Sequence, residues 1–193
     1  RRGSDVVGWE YAERIEPARG PYGIYLRRRA APLKLTDTPT EAAELGPGDI
    51  CELLDGNAAP AMLPSLYQPG VHYLATVGGV SGFEPSPSGR FAAYTIDCNG
   101  DELFSMMVLD LGSSAEPEAH PRVLTDEFVA GMDVGVVWGR CANGEAEAEV
   151  FYTTLDETGR PFRVHRHVLG DASTKQAHGS GQVIFEERDQ RFR

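Results

Sequence analysis

The sequence predicts an all-β fold assembled from four-stranded antiparallel units. Two observations carry this prediction. Short runs of β-branched and aromatic residues alternate with tight-turn signals, and the pattern of one such unit recurs further along the chain. Glycine (22 residues) and proline (13 residues) are also frequent among the 193 residues, which favours a turn-rich β protein over a helical one.

The clearest unit lies in the stretch 85–112, PSPSGRFAAYTIDCNGDELFSMMVLDLG. Asn99-Gly100 predicts a two-residue type I′ hairpin turn, because both central positions of that turn need a positive φ. The flanking runs have the length and composition of paired strands. Together with the apolar runs on either side, they predict an antiparallel meander with strands near 73–80, 91–97, 103–111 and 121–125.

This meander repeats along the chain. Residues 92–112 align with residues 150–170, and the identical pairs stand 58 residues apart: Tyr94/Tyr152, Thr95/Thr153, Phe104/Phe162 and Leu111-Gly112/Leu169-Gly170. The last strand recurs at 122–127 and 182–187, and a weaker third copy lies at 22–29 and 50–55. In every copy an acidic residue is expected to close the last strand: Asp55, Asp126-Glu127 and Glu186-Glu187.

A repeat of this length with four short strands is typical of a propeller blade. One meander cannot bury both of its faces alone, so neighbouring meanders must stack on it. We therefore expect a partial β-propeller of about three blades, near 6–55, 71–127 and 131–187, with an insertion at 31–49 in the first. Trp138 is expected to pack between blades, because large aromatic side chains fill contacts between sheets.

Composition limits the partners and the compartment. The net charge of −11 argues against a nucleic-acid surface, because phosphate binding requires clustered Lys and Arg. The short basic runs Arg1-Arg2 and 27–29 are expected to be solvated edge charges. The chain contains no run of about 18 apolar residues, so no membrane span is predicted. Three widely spaced cysteines without a CxxC motif suit the cytoplasm or another reducing compartment, such as an organelle stroma.

The residues with metal-binding chemistry form no recognisable site. His165 and His167 lie two apart on a predicted strand and therefore share a face, which would be half of a metal site, but no third ligand has a suitable spacing. The segment 97–101, DCNGD, is only partly similar to a calcium loop, because its glycine stands one position early and no bidentate glutamate follows. The hairpin turn explains this segment better.

The candidate nucleophiles are equally isolated. Ser81 lacks the glycine frame of a nucleophile elbow, Cys98 has no neighbouring histidine, and no phosphate-loop pattern occurs. None of the five histidines stands in an acid–base constellation: His72, His120, His165, His167 and His178. We therefore predict no catalytic, cofactor-binding or metal-binding residue in this chain, and no cofactor.

Several ordered motifs of the array resemble the propeller of the prolyl oligopeptidase family, most nearly its oligopeptidase B branch. Residues 86–111 share that family's Ser-Pro-x-Gly-Arg turn, Ala-Tyr strand, Gly-x-Glu hairpin and Asp-Leu strand end, but have Ser88 where the family usually has Asp. CELLDGN at 51–57 is similar to its E-x-L-L-D-x-N segment, and residues 160–170 are similar to its R-P-x-x-V-x-R-H-x-L-G segment. The resemblance covers roughly 8–193.

The resemblance implies a seven-bladed propeller joined to an α/β-hydrolase domain, whose Ser-Asp-His triad cleaves short peptides while the propeller excludes large folded substrates. The triad would follow residue 193, so the chain is expected to be a fragment comprising the first few blades, without a catalytic residue of its own. The implied partners are that hydrolase domain and short peptides, with neither nucleic acid nor membrane.

Three functional interpretations follow. The first is the gating propeller of a serine oligopeptidase, in which an acidic face would favour peptides with Lys or Arg by electrostatic focusing. The second is a non-catalytic propeller that serves as a protein-interaction platform. The third is the propeller of an esterase-like homologue. The inserts at 31–49 and 141–149 depart from the family's pattern, so the resemblance does not define the geometry of the loops over the active site.

Overall fold

The structure, a computed structural model, describes residues 9–29, 50–58, 80–97, 100–112, 121–139, 149–171, 181–189 and 191. Within these ranges the chain forms β-strands and no helix, and hence no helix that is long and apolar enough to cross a membrane. The chain divides into two compact units, Arg1–Asn57 and Ala58–Arg193. The all-β prediction is confirmed.

The first unit contains one antiparallel sheet in the order β1-β2-β3. Its strands are β1 (Trp9–Ile15), β2 (Gly23–Arg29) and β3 (Cys51–Asp55). Ile24 and Leu26 of β2 are buried, and so are Leu53 and Leu54 of β3, beside a register shift in the β2–β3 pairing. Arg27 of β2 is buried as well, with 1% exposed. The expectation of a solvated edge charge is therefore wrong for Arg27, because β2 is the central strand of this sheet. The predicted insertion at 31–49 lies outside the described residues.

The second unit contains two four-stranded antiparallel sheets. The second sheet has the order β4-β5-β6-β7, and the third sheet has the order β11-β10-β9-β8. Their strands are β4 (Val80–Pro85), β5 (Phe91–Asp97), β6 (Phe104–Asp110), β7 (Arg122–Met132), β8 (Val136–Trp138), β9 (Glu149–Leu155), β10 (Pro161–Val168) and β11 (Gln182–Glu186). The predicted strands near 91–97, 103–111, 150–156 and 161–169 are therefore confirmed to within about a residue at each end.

Two strand predictions were wrong. The first strand of the second sheet is Val80–Pro85, where 73–80 was predicted, because Gly82 to Pro85 pair with β5; residues 73–79 lie outside the described residues. The last strand continues to Met132, beyond the predicted end near residue 125. Asp126 and Glu127 consequently lie inside β7 and do not close it.

The connection between β5 and β6 is also longer than predicted. Asp97 pairs with Phe104, so residues 98–103 form the connection where a two-residue turn was expected. The Asp97 carboxylate accepts hydrogen bonds from the backbone N–H groups of Gly100 (2.6 Å) and Glu102 (3.0 Å). Gly100 has the predicted positive φ of 75°, and Glu102 has a φ of 62°. Cys98 and Asn99 lie outside the described residues.

The second and third sheets pack on each other through an apolar cluster. Val136 of β8 and Val150 and Tyr152 of β9 lie against residues of the second sheet and are almost wholly buried. Their partners in the second sheet are Ala93, Met106, Val129 and Met132, with Phe104 and Trp138 packed at the margin. Buried apolar area is the main favourable term in such packing, so this cluster holds β8 and β9 to the second sheet.

Candidate functional site

The two histidines singled out in the sequence are both buried on β10. They share a face, as predicted from their spacing, but they bind different partners. The described residues contain no group of three or more His, Cys, Asp or Glu side chains that could hold a metal ion. Each histidine therefore has to be explained by its own contacts.

His165 ties the segment before β11 to the sheet. Its Nδ1 lies 3.3 Å from the carbonyl oxygen of Gly181, and its Nε2 lies 3.0 Å from the hydroxyl of Thr154. Because a carbonyl oxygen only accepts, Nδ1 carries the hydrogen and Nε2 accepts from Thr154. The ring stacks on Tyr152 (centroids 5.0 Å apart), whose hydroxyl accepts from the Gly181 N–H at 2.9 Å.

Burial governs the ionisation of this histidine. Desolvation lowers the pKa of His165 below its ordinary value, the nearby charge of Arg163 acts in the same direction, and the hydrogen bond to Gly181 opposes them. The ring is therefore neutral at pH 7, in keeping with the tautomer that the contacts require. A neutral ring fully engaged by Thr154 and Gly181 acts as a structural clamp.

His167 joins the third sheet to the second. Its Nε2 lies 2.9 Å from Oε2 of Glu127, and Oε1 of Glu127 accepts a hydrogen bond of 2.7 Å from the backbone N–H of Gly170. We call these three residues the Glu127 contact. Both side chains are buried, with 0% of His167 and 7% of Glu127 exposed. With Glu127 ionised, Nε2 of His167 must carry the hydrogen.

A bulge in β7 brings Glu127 to this position. Leu124 pairs with Val108 and Val129 pairs with Met106, so residues 125–128 stand opposite Met107 alone. Extra residues in one strand leave the ladder and change the direction of their side chains. Glu127 thereby leaves the pairing with β6 and reaches β10 of the neighbouring sheet. The sequence shows an acidic residue at this position but gives no signal for its partner.

Trp138 makes a second link between the same two sheets. Its indole Nε1 donates a hydrogen bond of 2.8 Å to the carbonyl oxygen of Glu84 on β4. Its ring stacks on Phe91 of β5, with centroids 6.2 Å apart. We call these three residues the first-strand contact, because β8 and β4 are the first strands of their sheets. The prediction that Trp138 packs between blades is confirmed by its contacts with the neighbouring sheet.

Residues of the E-x-L-L-D-x-N segment form hydrogen bonds with the turn between β1 and β2. Arg19 donates to both carboxylate oxygens of Glu52 at 2.8 Å and to Asp55 at 2.6 Å. The amide of Asn57 bonds to both the N–H and the carbonyl of Tyr22. A Cβ at Gly20 would lie 2.1 Å from the Asn57 amide oxygen. The motif residues thus bind the turn to the end of β3.

These contacts change the pKa values of the charged groups in that network. The hydrogen bond from Arg19 lowers the pKa of Glu52. Desolvation is the largest single influence on Asp55 and acts to raise its pKa, but the hydrogen bonds from Asn57 and Arg19 together outweigh it and lower that pKa. Bonding to both carboxylates raises the pKa of Arg19. All three groups are therefore charged at neutral pH, as a surface ion-pair network requires.

The remaining sequence candidates are not brought together. Ser81 lies exposed on β4, and Asp97 uses its carboxylate to hold the β5–β6 connection, which supports the turn interpretation of 97–101. The other candidates lie outside the described residues: His72, Cys98, His120, Cys141 and His178. The prediction that the chain carries no catalytic, cofactor or metal ligand stays a prediction.

Stacked four-stranded antiparallel meanders, joined by contacts between successive sheets, define the β-propeller class of proteins. The sequence model "Prolyl oligopeptidase, N-terminal beta-propeller domain" matches residues 75–193, which is more than half of the chain. The chain therefore belongs to the prolyl oligopeptidase family, as a part of its N-terminal propeller domain.

Individual relatives agree with this assignment. "Protease 2" of Moraxella lacunata is 28% identical over 171 residues, covering 89% of this chain and 19% of that protein. The structure of oligopeptidase B from Leishmania major is similar with a TM-score of 0.56 and 21% identity, over 88% of this chain and 18% of that one. Oligopeptidase B from Trypanosoma brucei, solved in a closed form with covalently bound antipain, gives a TM-score of 0.54 and 22% identity, over 87% and 18%. The chain thus spans about a fifth of the length of its relatives.

Proposed function

We propose that this chain is the substrate-gating propeller portion of a serine-type oligopeptidase that hydrolyses short peptides. The observation that carries the proposal is the match of the family's propeller domain over residues 75–193. Two further findings support it: one relative is named a protease, and one similar structure holds covalently bound antipain. In this proposal the partner of the chain is the α/β-hydrolase domain of the same protein.

The role of the propeller would be steric selection. Stacked sheets form a rigid wall, and the first-strand contact and the Glu127 contact connect two of these sheets at separate points. A rigid wall over an active site admits extended peptides and excludes folded domains. The nucleophile, the base and the oxyanion donors that amide hydrolysis needs are assigned to the hydrolase domain.

We also propose a preference for peptides with Lys or Arg. The chain has a net charge of −11, with 29 acidic and 18 basic residues. A surface with a net negative charge raises the local concentration of positively charged substrates, and this effect falls as ionic strength rises. Added salt should therefore slow cleavage of a peptide with two arginines more than cleavage of its uncharged analogue.

The test compares the full-length protein with the 193-residue chain. The full-length protein should react with a serine-directed fluorophosphonate probe and cleave a fluorogenic Arg-Arg or Pro peptide, whereas the chain alone should do neither. The matched substrate control places the cleaved segment inside a stably folded protein, which should resist cleavage. Equal cleavage of the free and the folded substrate would contradict steric gating. A full-length protein that neither labels nor cleaves would instead support the interaction-platform interpretation.

A further inference from the structure

The attachment of β10 to the second sheet differs in kind from that of β8 and β9. On β8 and β9 the buried side chains are apolar, and they belong to the cluster that joins the two sheets. On β10 the only buried side chains are His165 and His167. The apolar cluster therefore stops at β9, and β10 reaches the second sheet through polar groups.

Of these two histidines, only His167 forms a hydrogen bond with the second sheet. The partners of His165, which are Thr154 and Gly181, both belong to the third sheet or the segment entering it. His167 is held by Glu127 of β7, and its Nδ1 has no hydrogen-bond partner among the described residues. Its ring is thus oriented through Nε2 alone, and Glu127 is the group that orients it.

Among the described residues, the last strand of the third sheet buries no side chain. Four of the five residues of β11 are exposed, including Val183, Ile184 and Phe185. β11 pairs with β10, at the opposite edge of the sheet from β8. The position of β11 therefore depends on the position of β10. β10 is held within its own sheet by its ladder to β9, and it is held to the second sheet by the Glu127 contact.

We propose that the Glu127 contact is a latch that seats the outer strands β10 and β11 of the third sheet on the second sheet, so that breaking it releases these two strands while β8 and β9 stay in place. The physical basis is that apolar packing tolerates the loss of one contact better than a buried polar contact does. An apolar cluster repacks when a contact is lost, whereas a buried hydrogen-bonded carboxylate depends on its own donors and leaves costly unpaired groups when they are removed.

The test is hydrogen exchange of the intact protein, read by mass spectrometry, in Glu127→Gln and in the control Glu157→Gln. Glu127→Gln keeps the shape of the side chain but leaves one acceptor oxygen for the two donors, His167 Nε2–H and Gly170 N–H. Moving the hydrogen of His167 to Nδ1 would let Nε2 accept from the new amide, but it would bury the Nδ1 hydrogen without an acceptor among the described residues. Glu157 is exposed in the turn before β10, so its variant makes the same chemical change away from the contact.

In Glu127→Gln the segments 161–171 and 181–189 should exchange about 10- to 100-fold faster than in the wild type. The segments 91–97, 136–138 and 149–155 should keep the wild-type rates, and Glu157→Gln should change no segment. An equal increase across both sheets would overturn the proposal, because the contact would then support global stability alone. Unchanged rates in 161–171 would overturn it as well.

The wild-type protein offers a second measurement, which needs no variant to fold. Gly170 lies beyond the end of β10, yet its N–H donates to the buried Glu127 carboxylate. Its amide should exchange as slowly as the amides of β10, and at least about tenfold more slowly than an unprotected turn amide. Exchange of Gly170 at the rate of an open turn would overturn the proposal. Neither measurement depends on peptidase activity, so the proposed function is tested separately.

Discussion

The indole Nε1 of Trp138 donates a hydrogen bond to the carbonyl oxygen of Glu84 over 2.8 Å, which joins the first strands of two successive sheets. The two residues lie 54 positions apart in the chain. The same indole ring stacks on Phe91, so the link combines a directional polar contact with apolar packing. The contributions of the hydrogen bond and of the stacking can be separated by substituting Trp138.

Trp138→Phe should lower the free energy of unfolding by about 1 kcal/mol, because it keeps a stacking ring and removes the N–H donor. Trp138→Ala should cost more, since the packing against Phe91 is also lost. Urea unfolding of the full-length protein would measure both changes. Val137→Ala is the control on the same strand, because Val137 is 66% exposed. A Trp138→Phe variant as stable as the wild type would contradict the contribution of the hydrogen bond.

Gly100→Val should destabilise the protein by about 1 kcal/mol or more. Gly100 has a φ of 75°, and a β-branched side chain is poorly tolerated at positive φ. The substitution should also weaken the bond between the Gly100 N–H and Asp97. Thermal unfolding would show a lower midpoint. An unchanged midpoint would argue against the left-handed conformation at this position.

Glu102→Gly should have the opposite sign. Glu102 is exposed with a φ of 62°, so it bears a conformational cost of roughly 1 kcal/mol that glycine avoids. Part of this gain is offset by the greater freedom of glycine in the unfolded chain, which leaves a net stabilisation of about 0.5 kcal/mol. Glu157→Gly is the matched control, because Glu157 is exposed without a positive φ and the same substitution there should destabilise.

The stability contribution of Asp156 should disappear in acid. The Thr158 hydroxyl (2.6 Å) and the Arg160 guanidinium (2.9 Å) bond to its carboxylate, and these bonds hold the pKa of Asp156 well below its ordinary range against desolvation. A carboxyl group whose pKa is lowered by folding stabilises the protein above its unfolded pKa of about 3.9. That stabilisation is lost progressively as the pH falls below this value.

Asp156→Asn should therefore be less stable than the wild type at neutral pH, and the difference should shrink as the pH is lowered from about 5 to about 2. Urea unfolding at several pH values measures this difference directly. Glu157→Gln removes a neighbouring exposed charge and serves as the control. A difference between wild type and Asp156→Asn that stays constant over this range would show that the ionised carboxylate is not what stabilises the turn.

Sequence patterns predicted the elements that depend on local chemistry. Strands β5, β6, β9 and β10 follow from short runs of β-branched and aromatic residues between turn signals, and both the 58-residue repeat and the family motifs point to stacked blades. The inter-sheet position of Trp138 could be predicted because few other environments suit a large aromatic ring on a first strand. The candidate site was visible only as two histidines of unassigned role.

The strand and the connection that were predicted wrongly are determined by contacts with other parts of the chain. The apolar run 71–83 does not by itself define where its strand ends, and pairing with β5 extends that strand to Pro85. In the connection 98–103, the Asn-Gly signal favours a two-residue turn, but the Asp97 carboxylate binds the N–H groups of Gly100 and Glu102 and stabilises a longer one. Such side-chain bonds to the backbone compete with the regular ladder.

The sequence by itself determined the all-β class, most strand positions and the family, because periodicity, turn chemistry and spaced motifs are local properties of the chain. Only the tertiary structure decided that Glu127 meets His167. These residues lie 40 positions apart on strands of different sheets, and the carboxylate reaches its partner through a bulge that no local pattern specifies. A buried acid and a buried histidine become a stable pair only when stacking of the sheets removes both from water and supplies each with its hydrogen bond.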